Sequence, residues 1–375
     1  MADVTIRRVE GSRDLERFIA FPYRLHRGDP MWVPPLRMDI RTMLRKDKNP
    51  FFAHAEAEYF LAERQNGKTG EVVGRIAAIH NRAHNEFHDD AVGFFGFFDV
   101  IDDQQVADAL FDAAASWLTP RGLTVMRGPA SFSTNDECGL LVDGFDTPPT
   151  LLNPHNPAYY VPLVERAGFT RAKDLWQYES TTTQLPERLL RAAQHIAERK
   201  GITLRALDKK HFDDEVELIK KVYNSAWERN WGFVPMSDAE IDHLAKQLKP
   251  VVVPDLVCFV EMKGEVIGFA AALPDLNVAL KANPSGRLFP GILKVLWASR
   301  KIHRIRILLL GLLKEHRKTG ADALMYHWLW EHGRKHGHNW GEAGWMLEDN
   351  TAMNNALERI GFRRYKTLRF YDRTL

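Results

Sequence analysis

A basic loop that ends in glycine lies between an apolar strand-like run and a helix-like run. It reads KEHRKTG over residues 314–320 and ends in Arg317, Lys318, Thr319 and Gly320. A helix start offers backbone N–H groups and the positive end of a dipole, which together favour anions. Glycine lets an anion approach the backbone closely, and the two cations add charge-assisted contacts. The loop predicts an anion site, with a solvated basic turn as the simpler alternative.

Two carboxylates lie on and just after the strand predicted for residues 340–347. Side chains alternate along a strand, so Glu342 shares one face with Trp340 and Met346, and Glu348 falls in the following turn. Either carboxylate could act as a general base. Alternatively, Glu342 forms an ion pair and Glu348 caps the next helix.

Three histidines are spaced as ligands on one helix face would be. His80, His84 and His88 are four residues apart, a spacing that can hold a metal on a helix. Because they follow a β-like run, a continuous helical register is doubtful, and we expect no metal. His332, His336 and His338 at a helix end are expected to interact with its dipole.

The elements around these residues occur twice. ERAGFTRAKDLWQYE at 165–179 matches ERIGFRRYKTLRFYD at 358–372, and GEVVGRIAAI at 70–79 matches GEVIGFAAAL at 264–273. Matches in the same order at nearly the same offset predict a duplicated fold. Each copy has a strand, helices, a hairpin, a third strand, a helix, a fourth strand, a helix that ends in Gly-Phe, and a closing strand. This order predicts a mixed sheet flanked by helices.

Composition excludes several classes of protein. The 375 residues carry a net charge of +2, so nothing global favours nucleic acid, and we expect no nucleic-acid partner. Two cysteines cannot form a disulfide framework and fit a reducing cytoplasm, and no signal peptide is evident. The most apolar stretch has only seven uncharged residues in a row, 307–313, against the roughly 20 that a membrane span needs.

The strand RIRILLLGLL, the loop KEHRKTG, the helix after it and the distal EDNTAMNNALERIGF together resemble the GNAT superfamily of acyl-CoA N-acyltransferases. The resemblance covers the chain as a tandem pair, with an N-terminal GNAT-like domain over 1–182 and a C-terminal one over 183–375. Each is expected to be α/β (α+β), with a mixed, mostly antiparallel sheet flanked by helices. Within the superfamily, the chain looks closest to proteins that include bacterial ceramide synthases.

The resemblance implies a donor site for acyl-CoA in the C-terminal domain. Its family loop pattern is Arg/Gln-x-x-Gly-x-Gly/Ala, and Asp322 stands where a small residue belongs. The first copy has Asp102 and Asp103 at the matching place, and two carboxylates would repel an anionic donor. We therefore expect the first copy to be degenerate in donor binding. The residues expected to bind the donor are Leu310, Leu312, Arg317, Lys318, Thr319, Gly320 and Asn350.

The general acid of the family is missing from its usual place. Many GNAT enzymes have a tyrosine four residues before the glycine of the last helix, where this chain has Leu357 and Val164. Tyr326, Tyr365 or a water molecule are the candidates that remain. The predicted catalytic residues are therefore Glu342, Glu348 and Tyr326.

A long polar loop in the first copy is the candidate for the acceptor side. It reads FSTNDECGLL at 132–141 and is followed by GFDTPPTLLNPHNPAYY. Long loops inside compact domains are usually functional. With the family resemblance, Asn135, Glu137 and His155 are predicted to bind the acceptor, although Asn135 could merely cap a turn.

A basic and apolar segment interrupts the second copy. No Asp or Glu occurs from Leu276 to Lys314, and a helix from Pro290 would place Leu293, Leu296 and Trp297 together. This pattern is typical of a helix in an anionic membrane interface, and equally of an ordinary amphipathic helix packed on a sheet. A membrane surface contacted through 287–304 is therefore a candidate partner, on an otherwise cytoplasmic protein.

These observations predict an acyl-CoA-dependent N-acyltransferase in which an amine attacks the thioester directly, without a covalent enzyme intermediate. The resemblance suggests long-chain acyl transfer to a sphingoid base, giving a ceramide-like amide. Acyl-CoA is the expected donor substrate and a small-molecule or lipid amine the acceptor. The alternatives are transfer to an amino acid or peptide amine, and a non-catalytic acyl-CoA or lipid-binding regulator.

Overall fold

The computed structural model describes residues 3–66, 69–181, 186–227, 230–317 and 319–375. Contacts divide the chain into two compact units, and each unit is assembled from separate chain segments. Unit 1 comprises Met1–Leu175, Asn277–Arg300 and Lys366–Leu375, and unit 2 comprises Trp176–Leu276 and Lys301–Tyr365. Each unit therefore contains a segment that would belong to the other unit if the chain folded as two contiguous halves. The predicted boundary between residues 182 and 183 lies outside the described residues.

The elements follow the order expected from the sequence. Up to residue 180 they are β1 Val4–Arg8, α1 Gly11–Leu25, α2 Arg37–Leu44, β2 Ala55–Asn66, β3 Thr69–Asn81, α3 Arg82–His88, β4 Val92–Val100, α4 Gln104–Leu118, β5 Val125–Gly128, β6 Leu140–Asp143, α5 Tyr160–Arg166 and β7 Thr170–Ser180. The remaining elements are α6 Glu187–Lys200, β8 Ile202–Ala206, α7 Phe212–Trp227, α8 Asp238–Leu248, β9 Val257–Met262, β10 Glu265–Pro274, α9 Asn277–Leu280, α10 Gly291–Ser299, β11 Arg304–Leu312, α11 Ala321–Lys335, β12 Trp340–Leu347, α12 Thr351–Arg359 and β13 Arg363–Thr374.

The sheet of each unit is mostly antiparallel and has one parallel step. In unit 1, β1, β2, β3 and β4 pair antiparallel, and β4 pairs parallel with β5. In unit 2, β8, β9, β10 and β11 pair antiparallel, and β11 pairs parallel with β12. A parallel step needs a crossover, which α4 and α11 supply. The predicted fold class is confirmed.

Each unit has its own apolar core between its sheet and its crossover helix. In unit 1, Leu110 and Phe111 of α4 are fully buried against strand residues such as Ile76. In unit 2, Met325 of α11 is fully buried with Ala270 and other strand residues. Burying such side chains stabilises a fold by about 1.5–3 kcal/mol each.

The closing strands of the two repeats are exchanged between the units. Tyr371, near the end of the chain, lies in the core of unit 1, whereas its repeat equivalent Tyr178 lies in the core of unit 2. In unit 1 the C-terminal part of β13 pairs antiparallel with β5, and Asp372 accepts two hydrogen bonds from Arg127, at 2.8 Å each. Because both strands carry the same sequence pattern, either one fits the same place in a unit.

The glycine-phenylalanine pairs end the two equivalent helices as expected. Gly168 after α5 and Gly361 after α12 have φ values of 87° and 92°, where a side chain would be strained. Phe169 and Phe362 then pack into the cores. In the described ranges, no helix has both the length and the apolar character needed to cross a bilayer.

Candidate active site

Two parallel strands of unit 2 separate partway along their length. β11 and β12 pair from Arg304 and Trp340 as far as Ile307 and Ala343, and the register given for this pair ends there. β11 continues beside β10 to Leu312, with an irregularity opposite Ala271 and Ala272. The backbone of residues 309–312 is therefore paired with β10, whereas the register with β12 has already ended at Ile307. Such an opening in a sheet offers backbone groups to an extended ligand.

Gly320 lies at the start of α11, beyond the end of β11. It has a φ of 78° and precedes the helix without a side-chain cap. A methyl group at this position would lie 3.4 Å from Ala193 of α6, so backbone approaches backbone closely here. The exposed Arg317 donates a hydrogen bond of 2.8 Å to the carbonyl of Ala226, and Thr319 is buried. Lys318 lies outside the described residues.

Unit 1 differs at both matching places. The first turn of α4 is capped by Asp103, whose carboxylate accepts from the N–H groups of Gln105 and Val106. The segment after β5 turns back onto β4, and Ala130 N–H donates to the Phe95 carbonyl at 2.8 Å. The Asp103 carboxylate, which also pairs with Arg64 at 2.6 Å, occupies the N–H groups that an anion would need, and the strand edge is closed; both features disfavour an anionic, extended ligand in unit 1.

A buried charged group lies at the base of the opening in unit 2. Glu342 has no exposed surface and is the register partner of the buried Arg306. Their closest atoms, Oε1 and Nε, are 3.4 Å apart, and Arg306 Nη2 donates to the Gly344 carbonyl at 3.0 Å. The Tyr365 hydroxyl donates to Oε2 of Glu342. The ion pair expected as an alternative for Glu342 is therefore present.

Tyr365 connects this buried carboxylate to a more accessible position. Its side chain is partly exposed, whereas Glu342 is completely enclosed. Burial, and then the charge of Glu342, raise the pKa of Tyr365 well above its usual value. The phenol is thus a stable hydrogen-bond donor at neutral pH. Sequence reasoning missed Arg306 as a partner, and the parallel register that places it beside Glu342 was the missing information.

The other predicted residues of unit 2 lie around the same strands. Glu348 is partly exposed in the turn after β12, and Asn350, rather than Glu348, caps α12 by accepting from Met353 N–H at 3.3 Å. Tyr326 is buried on α11; its hydroxyl donates to Met353 Sδ, 3.5 Å away, and burial raises its pKa. Leu310 is partly buried and Leu312 is buried on β11.

The predicted acceptor residues lie in unit 1, on two separate stretches of the chain. Asn135 N–H donates to Ser133 Oγ at 3.1 Å, in a compact turn in which Glu137 is exposed. The side chain of His155 is only 5% exposed, and its Nε2 lies 2.8 Å from Asp29 Oδ2. Burial lowers the pKa of His155, against the opposing effect of Asp29. Its Nδ1 has no hydrogen-bond partner among the described residues.

The three spaced histidines do not lie on one helix. His80 is the next-to-last residue of β3, and His84 and His88 follow on α3, with ring centroids 4.5 Å apart. Burial lowers the pKa of His84 to about 3, so it is neutral although Asp90 is near. Among the described residues, no group of three or more His, Cys, Asp or Glu is placed to hold a metal ion.

Comparison with solved structures defines the class of the fold. The chain superposes on a tandem GNAT protein from the clavulanic acid biosynthesis pathway with a TM-score of 0.60 and 12% identity, over 99% of this chain and 98% of that one. It also matches a GCN5-related N-acetyltransferase from Sphaerobacter thermophilus with a TM-score of 0.53 and 11% identity, over 99% and 95% of the chains. The fold is a tandem GNAT fold.

Two curated proteins resemble the chain in sequence. A bacterial ceramide synthase of Caulobacter vibrioides (strain NA1000 / CB15N) is 39% identical over 386 aligned positions, which cover 100% of this chain and 98% of that protein. Protein YghO of Escherichia coli (strain K12) is 35% identical over 379 positions, covering 99% and 95%. No family model matches the chain.

The chain belongs to the family of this bacterial ceramide synthase, within the tandem GNAT proteins. Family and fold together confirm two predictions from the sequence: the recognition as a tandem GNAT protein, and the class of enzyme, an N-acyltransferase. No comparison tests the individual site residues, which stay predictions.

Proposed function

We propose that the protein is an acyl-CoA-dependent N-acyltransferase that joins a long-chain acyl group to a sphingoid-type amine, giving a ceramide-like amide. One observation carries the proposal. In unit 2, the separated strands β11 and β12 and the uncapped start of α11 combine a strand edge with an anion site. The relative from Caulobacter vibrioides that bears the name ceramide synthase covers the whole chain.

The donor lies along β11 in this proposal. The amide groups of the pantetheine arm bond to the backbone of Leu310 and Leu312, and the pyrophosphate lies at Arg317–Gly320. The positive φ of Gly320 turns the chain into the helix, so that N–H groups of the first turn face the anion. Unit 1 has Asp103 at the matching place and is proposed not to bind the donor.

Acyl transfer forms a C–N bond and breaks the thioester C–S bond, and the amine loses a proton. We assign Glu342 as the base that receives this proton. Because Glu342 is enclosed and Tyr365 is partly exposed, the proton moves in relay: the phenol takes it from the amine as it gives its own to Glu342. The raised pKa of Tyr365 disfavours a free tyrosinate, so the two transfers are concerted.

The leaving thiolate takes a proton from Tyr326 or from a water molecule. Tyr326 is kept protonated by burial, and its place on α11 puts it on the helix that follows the donor loop. Glu348, in the turn after β12, is the alternative base if the amine enters at that end. No step uses a cysteine: Cys138 and Cys258 are both buried, and burial raises the pKa of the Cys258 thiol to about 12.

The acceptor side is assigned to His155, Asn135 and Glu137. His155 has its Nε2 engaged by Asp29 and its Nδ1 without a partner in the described chain. A neutral imidazole in this state can accept a hydrogen bond from a hydroxyl or ammonium group. Both substrates carry long chains, so we place the reaction at the cytoplasmic surface of the inner membrane, with residues 287–304 as the contact.

A direct assay tests this function. Purified protein is incubated with acyl-CoAs of short and long chain and with sphinganine, 3-ketosphinganine, amino acids or a peptide, and the products are identified by mass. Amide formation with a long-chain amine supports the proposal, and a preference for amino acids or peptides favours the alternative acceptor. If acyl-CoA binds but no amine is acylated, the protein is a binding protein and the proposal fails.

A further inference from the structure

The helix α10 presents its large apolar side chains to solvent and its small ones to the protein. Phe289, just before it, and Leu293, Leu296 and Trp297 on it are 75%, 61%, 58% and 62% exposed. At 100° per residue the three side chains on the helix fall on one side of it, and Phe289 precedes its first turn. Buried small residues, Gly291 and Ala298, lie on the opposite side. We call the four exposed side chains the apolar face.

This orientation is the reverse of an ordinary amphipathic helix. An amphipathic helix packed on a sheet buries its apolar stripe, and the sequence allowed this packing as one alternative for residues 287–304. The exposed apolar side chains of α10 contradict this alternative for that helix. Exposed large apolar residues scattered singly are common, but a contiguous group on one element marks an interaction site.

The segment that carries the apolar face is firmly attached to unit 1. Asn277 Nδ2 donates to the carbonyl of Pro149 at 3.0 Å, at the start of α9. Arg37 donates from Nε to Ser285 O at 2.9 Å and from its backbone N–H to Gly286 O at 2.8 Å. A methyl group on Gly286 would meet the Tyr23 ring at 2.3 Å, so the turn lies directly on α1. The exposed helix is thus held in place by the fold.

The surroundings of the apolar face are cationic. From residue 277 to 314 the chain contains no Asp or Glu. Arg287 before α10, Lys294 on its side and Arg300 at its end are all exposed. At 100° per residue, Lys294 lies next to Trp297 around the helix, and Arg300 follows the last turn on the same side as the apolar face. Apolar side chains with a basic border fit the interface of an anionic bilayer, where acyl chains meet phosphates.

We propose that the apolar face inserts into the headgroup region of a bilayer that contains anionic phospholipid, with Arg287, Lys294 and Arg300 contacting lipid phosphates. A second copy of the chain fits less well, because a symmetric contact would place these cations against each other. The inference deepens the membrane contact proposed above for residues 287–304 and rests on that part of the proposed function, because it names the inserted side chains and the lipid; it does not depend on the acylation step. It describes how the protein is held at a surface, whatever reaction takes place there.

Vesicle flotation with the full chain tests the proposal. Wild-type protein is expected to float with vesicles of phosphatidylglycerol and phosphatidylcholine and to bind pure phosphatidylcholine vesicles at least tenfold more weakly. Leu293→Asp combined with Trp297→Asp is expected to reduce binding to the mixed vesicles at least tenfold. Lys294→Glu with Arg300→Glu is expected to remove the preference for anionic lipid. Phe87→Asp is the matched control and should bind like wild type, because Phe87 is an exposed phenylalanine of unit 1 that lies on α3, outside the apolar face.

Two further measurements distinguish a loss of membrane binding from misfolding and from a loss of the reaction. Circular dichroism and thermal unfolding should be unchanged in these variants, because the substituted side chains are exposed. Acylation of an amine in detergent micelles should also be retained, so a failure of the reaction and a failure of membrane binding are separate results. The proposal is overturned if wild-type protein does not bind anionic vesicles, or if the apolar-face variants bind as well as wild type. It is also overturned if size-exclusion chromatography shows a dimer that these variants abolish, because a second copy then covers the face.

Discussion

The Tyr365 hydroxyl donates a hydrogen bond to Glu342, a carboxylate that has no exposed surface. Arg306 balances the charge of Glu342 from the neighbouring strand, with 3.4 Å between their closest atoms. A buried ion pair of this kind is weak support for stability by itself, because desolvation offsets much of the attraction. The partly exposed phenol distinguishes it from a purely structural pair, since the proposed proton relay needs a group that reaches from the enclosed carboxylate towards solvent.

We expect Tyr365→Phe to lower kcat about 100-fold and to leave the KM for acyl-CoA unchanged, because the relay loses its hydroxyl but the donor site is untouched. Steady-state kinetics with a long-chain amine measures both constants. Tyr371→Phe is a matched control: Tyr371 also donates to a glutamate, Glu165, at 3.0 Å, but in unit 1.

The Glu342→Gln variant distinguishes a catalytic role of Glu342 from a purely structural one. If Glu342 is the base, the variant loses kcat although it remains folded and keeps the wild-type KM for acyl-CoA. If Glu342 only balances Arg306, thermal stability falls while the folded fraction keeps the wild-type kcat. That second result would remove Glu342 from the mechanism and favour Glu348.

Arg317→Ala should raise the KM for acyl-CoA about tenfold and leave kcat close to wild type. A charge-assisted hydrogen bond to phosphate contributes about 1.5–3 kcal/mol, and its loss affects donor binding rather than the reacting atoms. Arg334→Ala is the control, because Arg334 is an exposed arginine in the last turn of α11, at the far end of that helix from the proposed phosphate site. Equal KM values for the two variants would argue against a phosphate site at Arg317–Gly320.

Local pattern was enough to predict the elements that surround the proposed donor site. The strand β11, the turn before Gly320 and the helix after it follow from apolar runs, a glycine and helix periodicity, which are all encoded within a few residues. The repeated Gly-Phe pairs likewise ended both helices as expected. The tandem GNAT assignment depended on these local signals, and the comparisons confirm it.

Partners that lie far apart in the chain could not be predicted in this way. Arg306 and Glu342 meet because of the parallel register of β11 and β12, and Asp29 reaches His155 through the folding of unit 1. The exchange of the closing strands, β7 and β13, could not be predicted for a different reason. Since the two strands have the same sequence pattern, the sequence alone does not show which unit each strand completes.

Stability should decrease in mild acid because His84 is buried in neutral form. Burial lowers the pKa of His84 to about 3, from about 6.5 in an unfolded chain. Between these values the unfolded state binds a proton that the folded state does not, so stability is lost as pH falls below about 6.5. The slope from one such group is about 1.4 kcal/mol per pH unit.

His84→Phe should remove this contribution and flatten the dependence of unfolding free energy on pH. Denaturant unfolding of wild type and variant at pH 7, 6 and 5 measures the difference, and His303→Gln, at an exposed position, is the control. A slope that is unchanged in His84→Phe would mean that His84 takes up its proton in the folded protein.

The exchanged strands give the last prediction. Tyr178 and Tyr371 are equivalent positions of the two repeats, and both are 1% exposed or less. Tyr178 belongs to the first repeat but packs in the core of unit 2, and Tyr371 belongs to the second repeat but packs in the core of unit 1. Replacing either tyrosine with alanine should lower the free energy of unfolding by about 3–5 kcal/mol, as for other large buried side chains.

Hydrogen exchange should then show which strands lose stability. Tyr371→Ala, near the C-terminus, should increase exchange in β4 and β5 of unit 1, and Tyr178→Ala should increase it in β11 and β12 of unit 2. If each substitution instead loosens the strands of its own sequence half, the closing strands are not exchanged in solution, and the two halves fold as contiguous domains.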